Sequence, residues 1–147
     1  MRTKRADGFS LIELMVVLAI LAILVAVGIP TFQGYRNRAF DADAQADLRT
    51  GILIESVYHL DNGSFTADTA TLTALENTIR FNVSGDPAGT VRVSLGTPET
   101  EVCLFSISEA GTWWTVYHTS DGGTFYGQSA PATCDSSLAS GWPTDGW

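Results

Sequence analysis

Between Phe9 and Ile29 the chain reads FSLIELMVVLAILAILVAVGI, 21 residues of which only Ser10, Glu13 and Gly28 are not plainly apolar. A helix needs roughly 20 such residues to cross about 30 Å of hydrocarbon, so the run is long enough to span a membrane. A cleaved secretory signal has a shorter apolar core, about 7–15 residues, followed by a small-x-small site. Here the run is too long, and the AVGIPTF at its far end makes a poor site. The segment therefore reads as a helix that the chain keeps.

Its flanks orient it. Arg2, Lys4 and Arg5 crowd the first positions, and Lys4 is the one lysine of the chain. Positive charge on that side holds the N-terminus in the cytoplasm and sends everything after Pro30 outward. Arg36 and Arg38 oppose this weakly and are followed by Asp41 and Asp43. Glu13 is the anomaly, because a carboxylate is costly at mid-bilayer. Four residues after Phe9 it lies near the cytoplasmic edge, where an acid reaches the interface. Gly28 and Pro30 close the apolar section. Proline lacks a donor and crowds the preceding turn, so it predicts a kink or unwound turn, or simply marks the membrane exit.

Beyond Pro30 the pattern turns amphipathic. Phe32, Tyr35, Ala39, Ala42, Ala46, Leu53, Val57 and Leu60 recur at three- and four-residue steps, with Arg36, Asp43, Asp47 and Glu55 off that stripe. One helix from about Phe9 to Leu60 follows, roughly 75–80 Å long at about 1.5 Å per residue, so half of it must protrude and find partners. Asp61-Asn62-Gly63-Ser64 is a stop and turn cluster. The stretch TATLTALENTI forms either a short helical turn or an irregular crossing. Segments 79–83, 90–95, 102–108, 112–118 and 124–127 are rich in branched and aromatic residues and separated by turn sequences, which predicts an antiparallel sheet of about four strands packed on the helix. The fold class is thus α+β. Trp142 and Trp147 end the chain as an exposed contact surface or as a cover folded back onto the sheet.

Charge and chemistry narrow the function. Lys and Arg number 8 against 16 Asp and Glu, a net charge of −8, so the basic footprint of nucleic-acid binding is missing. Cys103 and Cys134 lie 31 apart, the wrong spacing for a CxxC metal or redox site, and read as one disulfide in an oxidising compartment. The two histidines, His59 and His118, sit at a helix end and a strand end as isolated imidazoles. With no nucleophile, base and orienting group together, the reading is of no enzyme, no metal and no cofactor. Asn62-Gly63-Ser64 and Asn82-Val83-Ser84 fit the short glycosylation pattern.

Gly8-Phe9-Ser10-Leu11-Ile12-Glu13-Leu14, followed by the apolar run and Pro30, resembles the N-terminus of type IV pilins and pseudopilins. Tyr58, Asn62-Gly63 and Phe65 are similar to the landmarks after the helix in pilin heads. The resemblance implies a leader at 1–8, cut by prepilin peptidase between Gly8 and Phe9, with methylation of the new amine on Phe9. It implies a membrane and filament-core helix at 9–30, an amphipathic half at 31–60, and a β head at 61–147 with a disulfide-bounded C-terminal loop. Loss of the leader removes three cations and Asp7 and leaves a net charge near −10.

In that family the glutamate matching Glu13 is taken to neutralise the terminal amine of a neighbouring subunit, which sets register. Pairing removes the penalty of leaving either charge buried alone. The implied partners are copies of the same chain in a helical filament, prepilin peptidase, the pilus assembly machinery of the inner membrane, and lipid before assembly. The implied role is a major pilin, held in the inner membrane as precursor and exposed on the cell surface as a pilus for adhesion, twitching motility or DNA uptake. A type II secretion pseudopilin, a minor tip pilin acting as a binding module, and a plain single-pass membrane protein are the competing readings. Absence of a DPWGNPY-like calcium loop argues against the first of these, and Glu13 with a small head against the second.

Overall fold

The computed structural model describes residues 8–147, so Arg2, Lys4, Arg5 and most of the expected leader lie outside the described residues. The chain forms two compact units, one ending at Arg36 and the other running from Asn37 to Trp147. In the first unit, helix α1 (Leu11–Asn62) begins, and every described side chain through Arg36 is exposed. The helix continues unbroken through Gly28 and Pro30, so no unwound turn interrupts it there. The hydroxyl of Thr31 donates to the carbonyl of Val27 at 3.1 Å, adding a local bond one residue after the missing proline donor.

The second unit takes the rest of α1, a short helix α2 (Thr69–Leu75), and strands β1 (Phe81–Asn82), β2 (Val91–Leu95), β3 (Glu101–Ile107), β4 (Trp113–Thr119) and β5 (Thr124–Gly127). α1 stops where expected, at Gly63, whose φ of 77° is left-handed and whose amide donates to the His59 carbonyl at 2.7 Å. Asp68 caps α2 by accepting from the Ala70 amide, which settles TATLTAL as helical. The sheet has five strands in the order β1-β2-β3-β4-β5, antiparallel throughout except that β1 pairs parallel to β2. That corrects the all-antiparallel expectation of about four strands. The chain between β1 and β2 doubles back because Asn82 donates through Nδ2 to the Gly85 carbonyl and to Thr90 Oγ1, at 2.8 and 2.9 Å. The same bonds leave the Asn82 amide committed within the fold.

Alternation along the strands divides the core. Leu104, Val102 and Val116 face α1 and meet Ala44, Leu48 and Ile52, with Phe65 and Leu72 closing the cluster. Cys103, Phe105 and Tyr117 point to the opposite face, where Cys134, Ala139 and Trp142 cover them. Gly51 sets the helix-to-sheet distance, since a Cβ there would come within 2.8 Å of Leu104 Cδ1. Asp41 fixes the helix at another point: its Oδ1 accepts from Ser108 Oγ at 2.6 Å and from Trp114 Nε1 at 3.3 Å.

The buried side of α1 is not the stripe read from periodicity. Ala44, Leu48, Gly51, Ile52 and Glu55 face inward, whereas Ala42, Ala46, Leu53, Val57 and Leu60 are exposed. The helix carries two apolar faces in its second half, and the head covers one. The imidazoles are corrected as well: both are half-buried and share Phe65, with ring centroids at 4.6 Å for His59 and 5.6 Å for His118.

After Cys134 the chain hooks over β5. Trp142 packs on one face of the sheet, and a Cβ at Gly127 would lie 2.2 Å from its ring. The Tyr126 amide then donates to the Pro143 carbonyl at 3.0 Å. Trp147 returns on the other face against Trp114 and Tyr126, with the Arg49 guanidinium 5.4 Å from its ring centroid. Of the two sequence alternatives for these tryptophans, the cover is the one observed. Cys103 and Cys134 are disulfide-bonded with Cα atoms 5.6 Å apart, which holds the start of this hook. Replacing both by alanine is expected to lower head stability by roughly 3–4 kcal/mol on the loop-entropy estimate, read as a lower melting midpoint of the full chain in micelles.

Candidate functional site

Exposed apolar surface on this scale has to be covered by something, and the first unit is where it is concentrated. Phe9 is 84% exposed and Leu11 75%. Against that background the polar groups of the first turn are few and organised. The Ser10 carbonyl accepts the amides of Glu13 and Leu14, at 3.1 and 3.3 Å, which starts the helix. In return the Ser10 amide donates to Glu13 Oε2 at 3.0 Å. This is the glutamate half of an S-x-x-E capping box, in which the carboxylate satisfies one of the orphan donors of a helix N-terminus.

The carboxylate is therefore bent back onto the amide of Ser10. Gly8, Phe9 and Glu13 come together at one helix end. Negative charge there also opposes the positive end of the helix dipole, which makes the position favourable for an acid in a poorly hydrated setting. A Cβ at Gly8 would meet nothing within 4 Å, so the fold itself does not demand glycine at that point. Any requirement for glycine comes from what binds the segment.

Gly28 and Pro30 lie far along the same helix. Gly28 leaves a shallow, open depression in the helix surface, flanked by Leu21, Leu24, Val25 and Phe32. An apolar side chain of a packed neighbour fits such a depression, as knobs fit holes between helices. Cys103 and Cys134 belong to the second unit. Among the described residues no group of three or more His, Cys, Asp or Glu is placed to hold a metal.

Sequence reasoning found Glu13 and missed its local bond, although Ser10-Leu11-Ile12-Glu13 spells the capping pattern. It also missed Asp41 and Glu55, whose partners come from distant strands and loops and leave no local signature.

Residues 3–29 match the family model for the prokaryotic N-terminal methylation motif. Over longer spans the chain is similar to the type IV wide pilus major component PilA4 of Thermus thermophilus, 33% identical over 111 residues, 76% of this chain and 80% of that protein. It is similar to the type IV major fimbrial protein FimA of Dichelobacter nodosus, 30% identical over 132 residues, 72% of this chain and 85% of that one. A type II secretion system core protein G, from Aeromonas hydrophila, is 34% identical over 77 residues, but the match spans 52% of this chain and 54% of the relative.

The cap gives a direct expectation. Protection of the Ser10 amide from hydrogen exchange, measured by NMR on the full chain in micelles, should persist in Glu13→Gln, which keeps an acceptor, and disappear in Glu13→Ala.

Proposed function

Because the chain belongs to the type IV pilin family, we propose that it is a major pilin, a structural and non-enzymatic subunit that polymerises through its apolar helix. The observation that carries this reading is the exposure of an entirely apolar helix from Leu11 to Ile29 with one acid, Glu13, held at its start. Such a helix is long and apolar enough to cross a membrane. Lipid covers it in the precursor, and copies of the same helix cover it in a filament. The exposed face of Leu53, Val57 and Leu60 extends the apolar surface into the head-bearing half of α1 and supports the same use.

Processing comes first. Prepilin peptidase cuts between Gly8 and Phe9, and the new amine of Phe9 is methylated. Gly8 lets the protease approach the backbone, while Arg2, Lys4 and Arg5 keep the leader on the cytoplasmic side. The freed amine is a cation in a setting with little water, and Glu13 of a neighbouring copy pairs with it. Since an unpaired charge in low dielectric is penalised heavily, only the register that pairs them is comfortable. The Ser10 cap keeps the carboxylate at the helix end until the neighbour arrives. Assembled filaments on the cell surface then serve adhesion, twitching motility or DNA uptake.

Relatives matched over most of their length are named as major pilus or fimbrial components, which supports the major-pilin reading. A pseudopilin of a type II secretion system is the second reading, and the core protein G match over about half its length favours it. It predicts short periplasmic assemblies and no abundant sheared filaments.

The N-terminal mass of material sheared from cells tests the proposal. A terminus at methylated Phe9 in abundant filaments is expected, and retention of Met1 overturns the processing scheme. Gly8→Ile should leave head stability unchanged yet block cleavage, seen as precursor mass in the membrane fraction. Glu13→Ala and Glu13→Gln should both be cleaved and both lose filaments at least about tenfold, as expected when a charge partner is removed. If Glu13→Gln filaments match the wild type, the helix cap rather than the charge is what assembly needs.

A further inference from the structure

Glu55 lies on the inward face of α1 with Leu48 and Ile52, fully buried at 0% exposure. Its Oε2 accepts the Thr66 amide at 3.2 Å, and its Oε1 has no protein partner. Charges are scarce around it. His59 stands one turn later on the same helix and His118 lies on β4, the first tilted against the Phe65 ring and the second edge-on to it. The Phe65 amide donates to the Glu99 carbonyl at 3.3 Å, while the Glu99 side chain belongs to an exposed residue. No cation among the described residues makes an ion pair with Glu55.

An ionised carboxylate in that position keeps one bond and leaves its second, buried oxygen without a protein donor, a costly arrangement. We propose that Glu55 is a proton-operated latch on the loop Gly63–Asp68: protonated, it seals the seam between α1 and the loop, and ionised, it draws water in by loosening Phe65 and Thr66. The groups that seal the carboxyl from solvent are the ones that must move to hydrate it.

Two effects on Glu55 oppose each other. Burial pushes its carboxyl up, and the Thr66 amide pulls it down, with burial the larger, so the group ends at about 7 against an ordinary value of 4.5. The folded chain thus prefers the protonated form. Its contribution to stability is complete below about 4.5 and is lost as pH rises through about 7. His118 works in the other direction. Burial holds it below its ordinary 6.5, so its contribution is present above that value and lost as pH falls. Glu55 therefore tightens the loop on the acidic side and loosens it as pH rises through about 7, while His118 acts in the opposite sense as pH falls.

Hydrogen exchange of the full chain in micelles, resolved at Phe65 and Thr66 and corrected for the intrinsic pH dependence of exchange, tests this. Between about pH 6 and about pH 8.5 the corrected rates should rise about tenfold or more in the wild type and stay flat in Glu55→Gln, since one pH unit of linkage is about a tenfold change in an opening equilibrium. A flat wild type, or an equal rise in Glu55→Gln, overturns the proposal. The double variant His59→Gln, His118→Gln should retain the alkaline rise; its disappearance there would assign the titration to the imidazoles and overturn the proposal too. Should Glu55→Gln not fold, the carbon-13 shift of the Glu55 carboxyl in the wild type decides: a midpoint near 7 supports the latch, and one near 4.5 overturns it.

Discussion

One helix carries more apolar surface than its own chain covers, and the rest of the molecule is arranged around that imbalance. At about 25 cal/mol for each Å² removed from water, a span as long as Leu11–Ile29 cannot remain hydrated, so lipid or neighbouring copies must complete it. A polar residue inside such a span is tolerable only where its hydrogen bonds and charge are accounted for. Glu13 meets the first requirement through the Ser10 amide. The second is met by where it stands, at the positive end of the helix dipole.

The head then has to hold the second half of the same helix without using up all of its apolar surface. Gly51 brings the backbone close to Leu104, and Asp41 ties the helix to Ser108 and Trp114 through one carboxylate oxygen. Those two contacts, far apart along α1, fix both its distance from the sheet and its rotation. The rotation decides which face is hidden. Leu48 and Ile52 go inward, and Leu53 and Val57 stay out for another partner.

Hydrophobic length and capping chemistry are local properties, which is why the long helix, its stop at Gly63 and the strand segments are legible in the sequence. Facing is not local. Periodicity identified Leu53, Val57 and Leu60 as apolar and aligned, and they are, but it could not say whether the sheet or another molecule covers them. Glu55 and Gly51 sit on the covered side although hydropathy assigns neither to a core, because their reasons are a loop amide and a leucine from β3. The parallel β1 was hidden for a similar cause: two residues held by Asn82 bonds across a loop leave no alternating pattern to read. His59 and His118, 59 positions apart in the chain, both pack against the ring of Phe65.

The hooked C-terminal segment bears on how such a chain avoids the wrong polymer. An open sheet offers unpaired amides and carbonyls at both borders, a template for strand-to-strand growth. Here one border is a strand of two residues, and the other, β5, lies beneath a segment pinned by Trp142, Pro143 and Trp147. With its lateral edges blunted in this way, the head has little to offer a neighbouring sheet. What remains exposed and apolar is the long helix, so the surface free for association lies there and not along the sheet.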